Sequence, residues 1–152
     1  MSLGRKTITV SVVIIAIVFA ILFSLAGEDR ATQNKAAFHV TLASPDMYKN
    51  GTYTEKVILN AGEYTFRFVP NGDSPKVLSI SVRGEMLEFS EDFILNGTLH
   101  QTGISEYYTW DYAGIKSFES PSRGEFLVEI NPNGNIIGPV SVDILEKDGA
   151  DP

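Results

Sequence analysis

His39 and His100 are the only imidazoles in this chain of 152 residues, and there is no cysteine. That leaves little metal or nucleophile chemistry within reach. Zinc and related ions need three or four His, Cys or carboxylate ligands at short spacings, and no His-x-x-x-His or His-Glu-x-x-His pattern occurs. A histidine pair beside a carboxylate on neighbouring strands is the one arrangement left open, although single histidines in strands more often serve as surface hydrogen-bonders. The sequence contains no Gly-x-Ser-x-Gly elbow, Gly-rich phosphate loop or dinucleotide fingerprint. Glu85, Glu88, Glu91 and Asp92 could offer oxygens to calcium, but their spacing matches no calcium loop and suits a solvated strand face. No carboxylate pair stands out for glycoside hydrolysis. The sequence therefore assigns no catalytic residue, no cofactor and no metal ligand, and an enzymatic role is not expected.

The residue types that remain are suited to contact. In Tyr107-Tyr-Thr-Trp-Asp-Tyr112, alternation places Tyr108, Trp110 and Tyr112 on one face of a strand. Exposed, such a row stacks against sugars or a partner's apolar patch; buried, it belongs to a core, the expected fate of the chain's single tryptophan. Two Asn-Gly-Thr sequons, at Asn50 and Asn96, are candidate glycosylation sites. Asn-Gly is also the favoured pair for a hairpin turn, which gives both sequons a purely structural reading.

These side chains must be held by strands. From Phe38 onward the apolar residues recur with a period of two: Phe38/Val40/Leu42, Tyr64/Phe66/Phe68, Leu78/Ile80/Val82, Tyr108/Trp110/Tyr112, Phe126/Val128/Ile130 and Val140/Val142/Ile144. Val57–Leu59, Met86–Phe89 and Phe93–Leu95 read as shorter strands. Asn-Gly pairs and prolines punctuate them, and no helical period follows residue 37. The pattern predicts an all-β domain, an antiparallel β-sandwich of Greek-key or jelly-roll type.

An internal repeat lies inside that pattern. Gly62-Glu-Tyr-Thr-Phe-Arg-Phe-Val-Pro-Asn-Gly72 aligns without a gap on Gly124-Glu-Phe-Leu-Val-Glu-Ile-Asn-Pro-Asn-Gly134, and an apolar strand follows each copy. The expected unit is a hairpin: strand, Pro-Asn-Gly turn, strand, with Asn-Gly supplying the positive-φ residues. Two such hairpins can arise by duplication or by shared turn chemistry. The first copy with its lead-in, residues 57–82, resembles the GOLD domain of p24-type (emp24/gp25L) trafficking proteins. The shared features are the Gly62-Glu63-Tyr64 strand start, Asn71, and Lys76 leading into the next strand. Its Leu-x-Ala-Gly-x-Tyr-x-Phe outline is also similar to pre-peptidase C-terminal domains and to carbohydrate-binding sandwiches. The resemblance implies a sandwich used for protein or lipid contacts. The p24 order, with the membrane helix after the domain, is reversed here, and that family's cysteines are absent.

The reversal rests on the N-terminus. Arg5 and Lys6 precede an apolar run from Thr7 to Ala26, long enough as a helix of about 30 Å to span a bilayer core. The positive-inside rule puts Arg5 and Lys6 in the cytoplasm and everything after Ala26 outside it. The run exceeds the h-region of an ordinary signal peptide, which favours a retained signal anchor; cleavage after Ser24-Leu25-Ala26 is the alternative and would give a secreted protein. The expected organisation is a cytoplasmic segment 1–6, a transmembrane helix 7–26, a linker 27–37, an extracytoplasmic sandwich 38–147 and a tail 148–152. With Arg5 and Lys6 set aside from the twelve Lys and Arg, ten remain against nineteen Asp and Glu, a formal −9 outside the membrane. That balance argues against nucleic acid and against an anionic lipid surface. The expected function is that of a membrane-anchored, protein-binding accessory subunit or envelope component, partnered by another membrane or envelope protein. A glycan-binding module is the alternative.

Overall fold

The computed structural model describes residues 35–147, all of them β-structure apart from turns and one 3-10 turn at Pro45–Met47. In chain order the strands are β1 (Lys35–Leu42), β2 (Tyr53–Leu59), β3 (Gly62–Pro70), β4 (Val77–Arg83), β5 (Glu88–Gln101), β6 (Glu106–Ala113), β7 (Ser117–Ser120), β8 (Gly124–Asn131) and β9 (Val140–Glu146). They form two antiparallel sheets, one ordered β1-β9-β3-β7 and the other β2-β8-β4-β5-β6. The alternation read from the sequence is the cause: strands such as β3, β4 and β8 bury every second side chain, and the two inner faces interdigitate. The four-stranded sheet contributes Phe38, Val40, Leu42, Tyr64, Phe66, Phe68, Phe118, Val140, Val142 and Ile144; Leu59, Leu78, Ile80, Val82, Phe93, Leu95, Phe126, Val128 and Ile130 face them.

Phe66 is the hub of that core. Its ring lies 5.1 Å from Phe93, 5.4 Å from Phe118 and 5.5 Å from Phe89. The anchor is thus a phenylalanine cluster, and Trp110 packs at its margin, only partly buried.

The repeat folds differently from the hairpins predicted for it. β3 lies in the four-stranded sheet and β4 in the five-stranded sheet, so the Pro-Asn-Gly segment crosses between sheets as an arch. β8 and β9 form the second arch, crossing in the opposite sense. The arches then pair with each other: Phe66↔Ile144 and Phe68↔Val142 in one ladder correspond to Val128↔Val82 and Ile130↔Ile80 in the other. The central four strands are therefore related by a pseudo-two-fold. The arch bends also touch. Asn135 Nδ2 donates to the Asp73 carbonyl at 2.8 Å, and Gly138 lies so close to that carbonyl that a Cβ would overlap it. Only the second bend uses the positive-φ pair expected of Asn-Gly, with Asn133 at 52° and Gly134 at 93°.

Other differences are local. β1 starts at Lys35, so the last three residues of the stretch read as linker belong to the sheet. The two short strands expected near Met86 and Phe93 are one fourteen-residue strand, β5. β7 has a single apolar residue, Phe118, and gave no periodic signal. The apolar run 7–26, the rest of the linker and the tail 148–152 lie outside the described residues. Among the described residues no helix is long and apolar enough to cross a membrane.

The registers give the domain two poles. Lys35 pairs with Glu146 at one pole, whereas Leu42, Pro70 and Val140 meet at the other, beside the arches. β5 runs past the arch pole, because its ladder with β4 ends at Val77↔Ile94.

Candidate functional site

Beyond Ile94, β5 pairs with β6 alone, so residues 94–113 form a two-stranded hairpin projecting from the arch pole. Its turn is closed by the Thr102 amide donating to the Ser105 carbonyl at 2.8 Å. An isolated hairpin is marginal in water, so side chains must hold this one in place. The inner face, continuous with core residues Phe93 and Leu95, carries Gly97, Leu99, Tyr108, Trp110 and Tyr112. That face is open there because the opposite sheet is narrower and its nearest strand, β7, pairs with β3 only from Gly62 to Thr65.

The three aromatic residues read as one contact row are brought together on one face, but with different roles. Tyr112 is structural. Its ring meets Phe68 edge-on at 4.8 Å, its hydroxyl donates to the Phe66 carbonyl at 3.2 Å, and the Lys116 ammonium sits 4.2 Å above it. Burial raises the Tyr112 pKa, the Asp111 charge adds to this, and Arg67 opposes it. Trp110 lies across Gly97, where a Cβ would come within 2.8 Å of the indole. Tyr108 stacks beside Trp110 with centroids 5.8 Å apart and the planes 28° from parallel. It also covers Gly72 in the first arch, which ties the hairpin to the sandwich, and it remains 42% exposed. The row thus grades from partly buried Tyr112 to open Tyr108. Two residues missing from the sequence reading complete the open end: Leu99, opposite Tyr108, and Ile104 at the fully exposed turn.

The outer face of the hairpin is polar. His100 stacks on Tyr107 at 5.0 Å and shares a 2.8 Å hydrogen bond with the Thr109 hydroxyl. Asn96 is exposed here, within a strand and not in a turn: the Asn-Gly at 96–97 is read differently because Trp110 occupies the space beside Gly97. Asn50 does occupy a turn, with φ of 52° and Gly51 at 81°.

His39 lies in the other sheet. It is 2.6 Å from one oxygen of Asp143, and the Arg67 Nε donates to the other at 2.9 Å. Asp143 is buried beneath the half-exposed His39 imidazole and Arg67 guanidinium, which makes a structural triad across β1, β9 and β3. The two histidines therefore have separate partners on separate sheets. The acidic run also divides: Glu91 accepts the Ile115 amide at 3.0 Å, while Glu88 lies opposite Arg83 in the ladder. Among the described residues no group of three or more His, Cys, Asp and Glu could hold a metal ion. A shallow trough of about 300 Å³ lies on the outer face of the five-stranded sheet, floored by Ser79, Ser81 and Ser90. Its walls are already engaged, since Glu129 accepts from both Arg83 and Ser81.

No family model matches the chain, and no curated protein matches it.

Proposed function

We propose that this chain is a single-pass membrane protein whose extracytoplasmic sandwich binds another membrane or envelope protein through the inner face of the β5–β6 hairpin. One observation carries the reading: an apolar face continuous with the core runs past the end of the opposing sheet, leaving Leu99, Tyr108 and Ile104 open. Aromatic side chains on a braced element are the usual anchors of protein interfaces. The N-terminal apolar run supplies the membrane anchor and, through the positive-inside rule, the external location. The crossings between sheets support a sandwich of Greek-key or jelly-roll type. Exposure at Asn50 and Asn96 suits both as glycosylation sites.

The absence of native cysteine makes a direct test available. Leu99→Cys and, as a control on β2, Lys56→Cys are each treated with a thiol-reactive photocrosslinker in native membranes. Adducts to one defined membrane protein from position 99 but not from position 56 are expected. Equal labelling from both positions, or none from position 99, defeats the proposal.

A second reading, a glycan platform, is favoured by the near-parallel Tyr108 and Trp110 rings. It excludes Tyr112, whose ring is committed to Phe68 and Lys116. Saturable glycan binding that is lost in Tyr108→Ala would support it.

A further inference from the structure

Sheet edges present unpaired backbone groups, and natural domains guard them with short strands, bulges, lysines or prolines. Three of the four edges here are guarded. β1 has a register shift between Ala36 and Phe38 and begins with Lys35. β7 is only four residues long. β2 carries Glu55 and Lys56, the latter paired across to Glu125. β6 is the exception. Its eight residues, Glu-Tyr-Tyr-Thr-Trp-Asp-Tyr-Ala, include no lysine or proline, its ladder with β5 runs unbroken from Glu106 to Ala113, and most of it is exposed; its charges are Glu106 and Asp111, and the Asp111 carboxylate accepts the Tyr112 amide at 2.8 Å, which guards the strand only at its Tyr112 end. It is also the outer strand of a projecting pair, where a third strand adds most stability.

We propose that β6 pairs antiparallel with β6 of a second copy of this chain, joining two five-stranded sheets into one. The strand's sequence is what selects a second copy. Antiparallel pairing about a two-fold keeps the inner faces of both copies on one side, so the two-fold must pass through a residue and not between residues. Placed on Thr109, it sets Tyr108 opposite Trp110 of the other copy, Tyr107 opposite Asp111, and Thr109 opposite itself. Four aromatic rings then form a single row, and threonine and aromatic cross-strand pairs are among the stabilising ones. The strand's two carboxylates, Glu106 and Asp111, face Tyr112 and Tyr107 and not each other. This contact uses the edge of the hairpin, separate from the inner-face contact proposed above, and does not depend on it.

The test uses full-length protein in detergent and in membranes. Thr109→Cys is expected to give a disulfide-linked dimer under mild oxidation, while Lys56→Cys stays monomeric on non-reducing gels. Thr109→Lys, which adds the missing guard, is expected to reduce the dimer at least tenfold by light scattering, and Thr54→Lys on the β2 edge to leave it intact. Retention of the fold is checked by circular dichroism. A monomeric wild type, or a dimer that survives Thr109→Lys, overturns the proposal. Loss in Thr109→Lys of a different co-purifying protein, with no dimer in the wild type, assigns the edge to that protein and overturns it too. Crosslinking from position 99 reports on the other contact, so the two proposals fail separately.

Discussion

Gly97 and Trp110 face each other across β5 and β6, and the indole fills the space that a side chain at position 97 would need. The pair locks a projecting hairpin that has no third strand to support it. Gly97→Ala should push the ring outward and cost about 1–3 kcal/mol of local stability. Because Trp110 is the only tryptophan, its fluorescence reports the hairpin alone. The expected result is a fluorescence transition that falls below the circular dichroism transition of the sandwich. Coincident, unshifted transitions would contradict the lock.

The Asp143 carboxylate is buried, while its two partners, the Arg67 guanidinium and the His39 imidazole, are half-exposed. Removing the guanidinium strands a buried charge, whereas removing the carboxylate frees an arginine that water can reach. Arg67→Leu is expected to cost about 2–4 kcal/mol, and Arg67→Leu with Asp143→Leu to recover most of it. Urea unfolding of the two variants checks this; a double variant no more stable than the single one would show that the triad does more than neutralise charge.

Gly138 presses against the Asp73 carbonyl of the facing arch, whereas Gly134 has open space but a φ of 93°. Gly134→Ala should cost about 1 kcal/mol from backbone strain alone. Gly138→Ala must move one arch away from the other and should cost at least twice as much. Thermal melts rank the two; equal losses would mean that the arch contact is dispensable.

Tyr53 is held protonated to about 12 by burial first, then by its hydrogen bond to Glu55 and that carboxylate's charge. A group whose pKa is raised on folding stabilises the fold below its unfolded value, near 10, and that contribution disappears as pH climbs through about 12. Stability should therefore fall between about pH 10 and 12, and Tyr53→Phe should flatten that fall. Burial also raises Tyr48, Tyr64 and Tyr112. Tyrosinate absorbance from these four residues should accordingly appear late, together with unfolding; a wild type and a Tyr53→Phe variant with the same slope would refute the assignment.

Strand identity was legible because burial on one face imposes a period of two, and β3, β4, β8 and β9 all announce it. Connectivity was not. Pro-Asn-Gly chemistry closes a hairpin or bends an arch equally well, and strands that bury one face look the same whether the next strand lies beside them or across the core. Gly97 misled for a related reason: turn residues mark a turn only when nothing else needs their missing side chain. For the site, alternation correctly put Tyr108, Trp110 and Tyr112 on one face, but how much of that face is covered depends on where β7 ends. β7 itself, with one buried phenylalanine among four residues, left no periodic trace.

The pairing of β1 with β9 has a mechanical consequence. Lys35 joins the domain at one pole and the β5–β6 hairpin leaves from the other, so a load between them runs parallel to the strands. The β1–β9 ladder, from Lys35↔Glu146 to Leu42↔Val140, is then stretched in shear, with its hydrogen bonds sharing the force instead of opening one by one. Force applied between Lys35 and the hairpin therefore acts along the strands of the β1–β9 ladder.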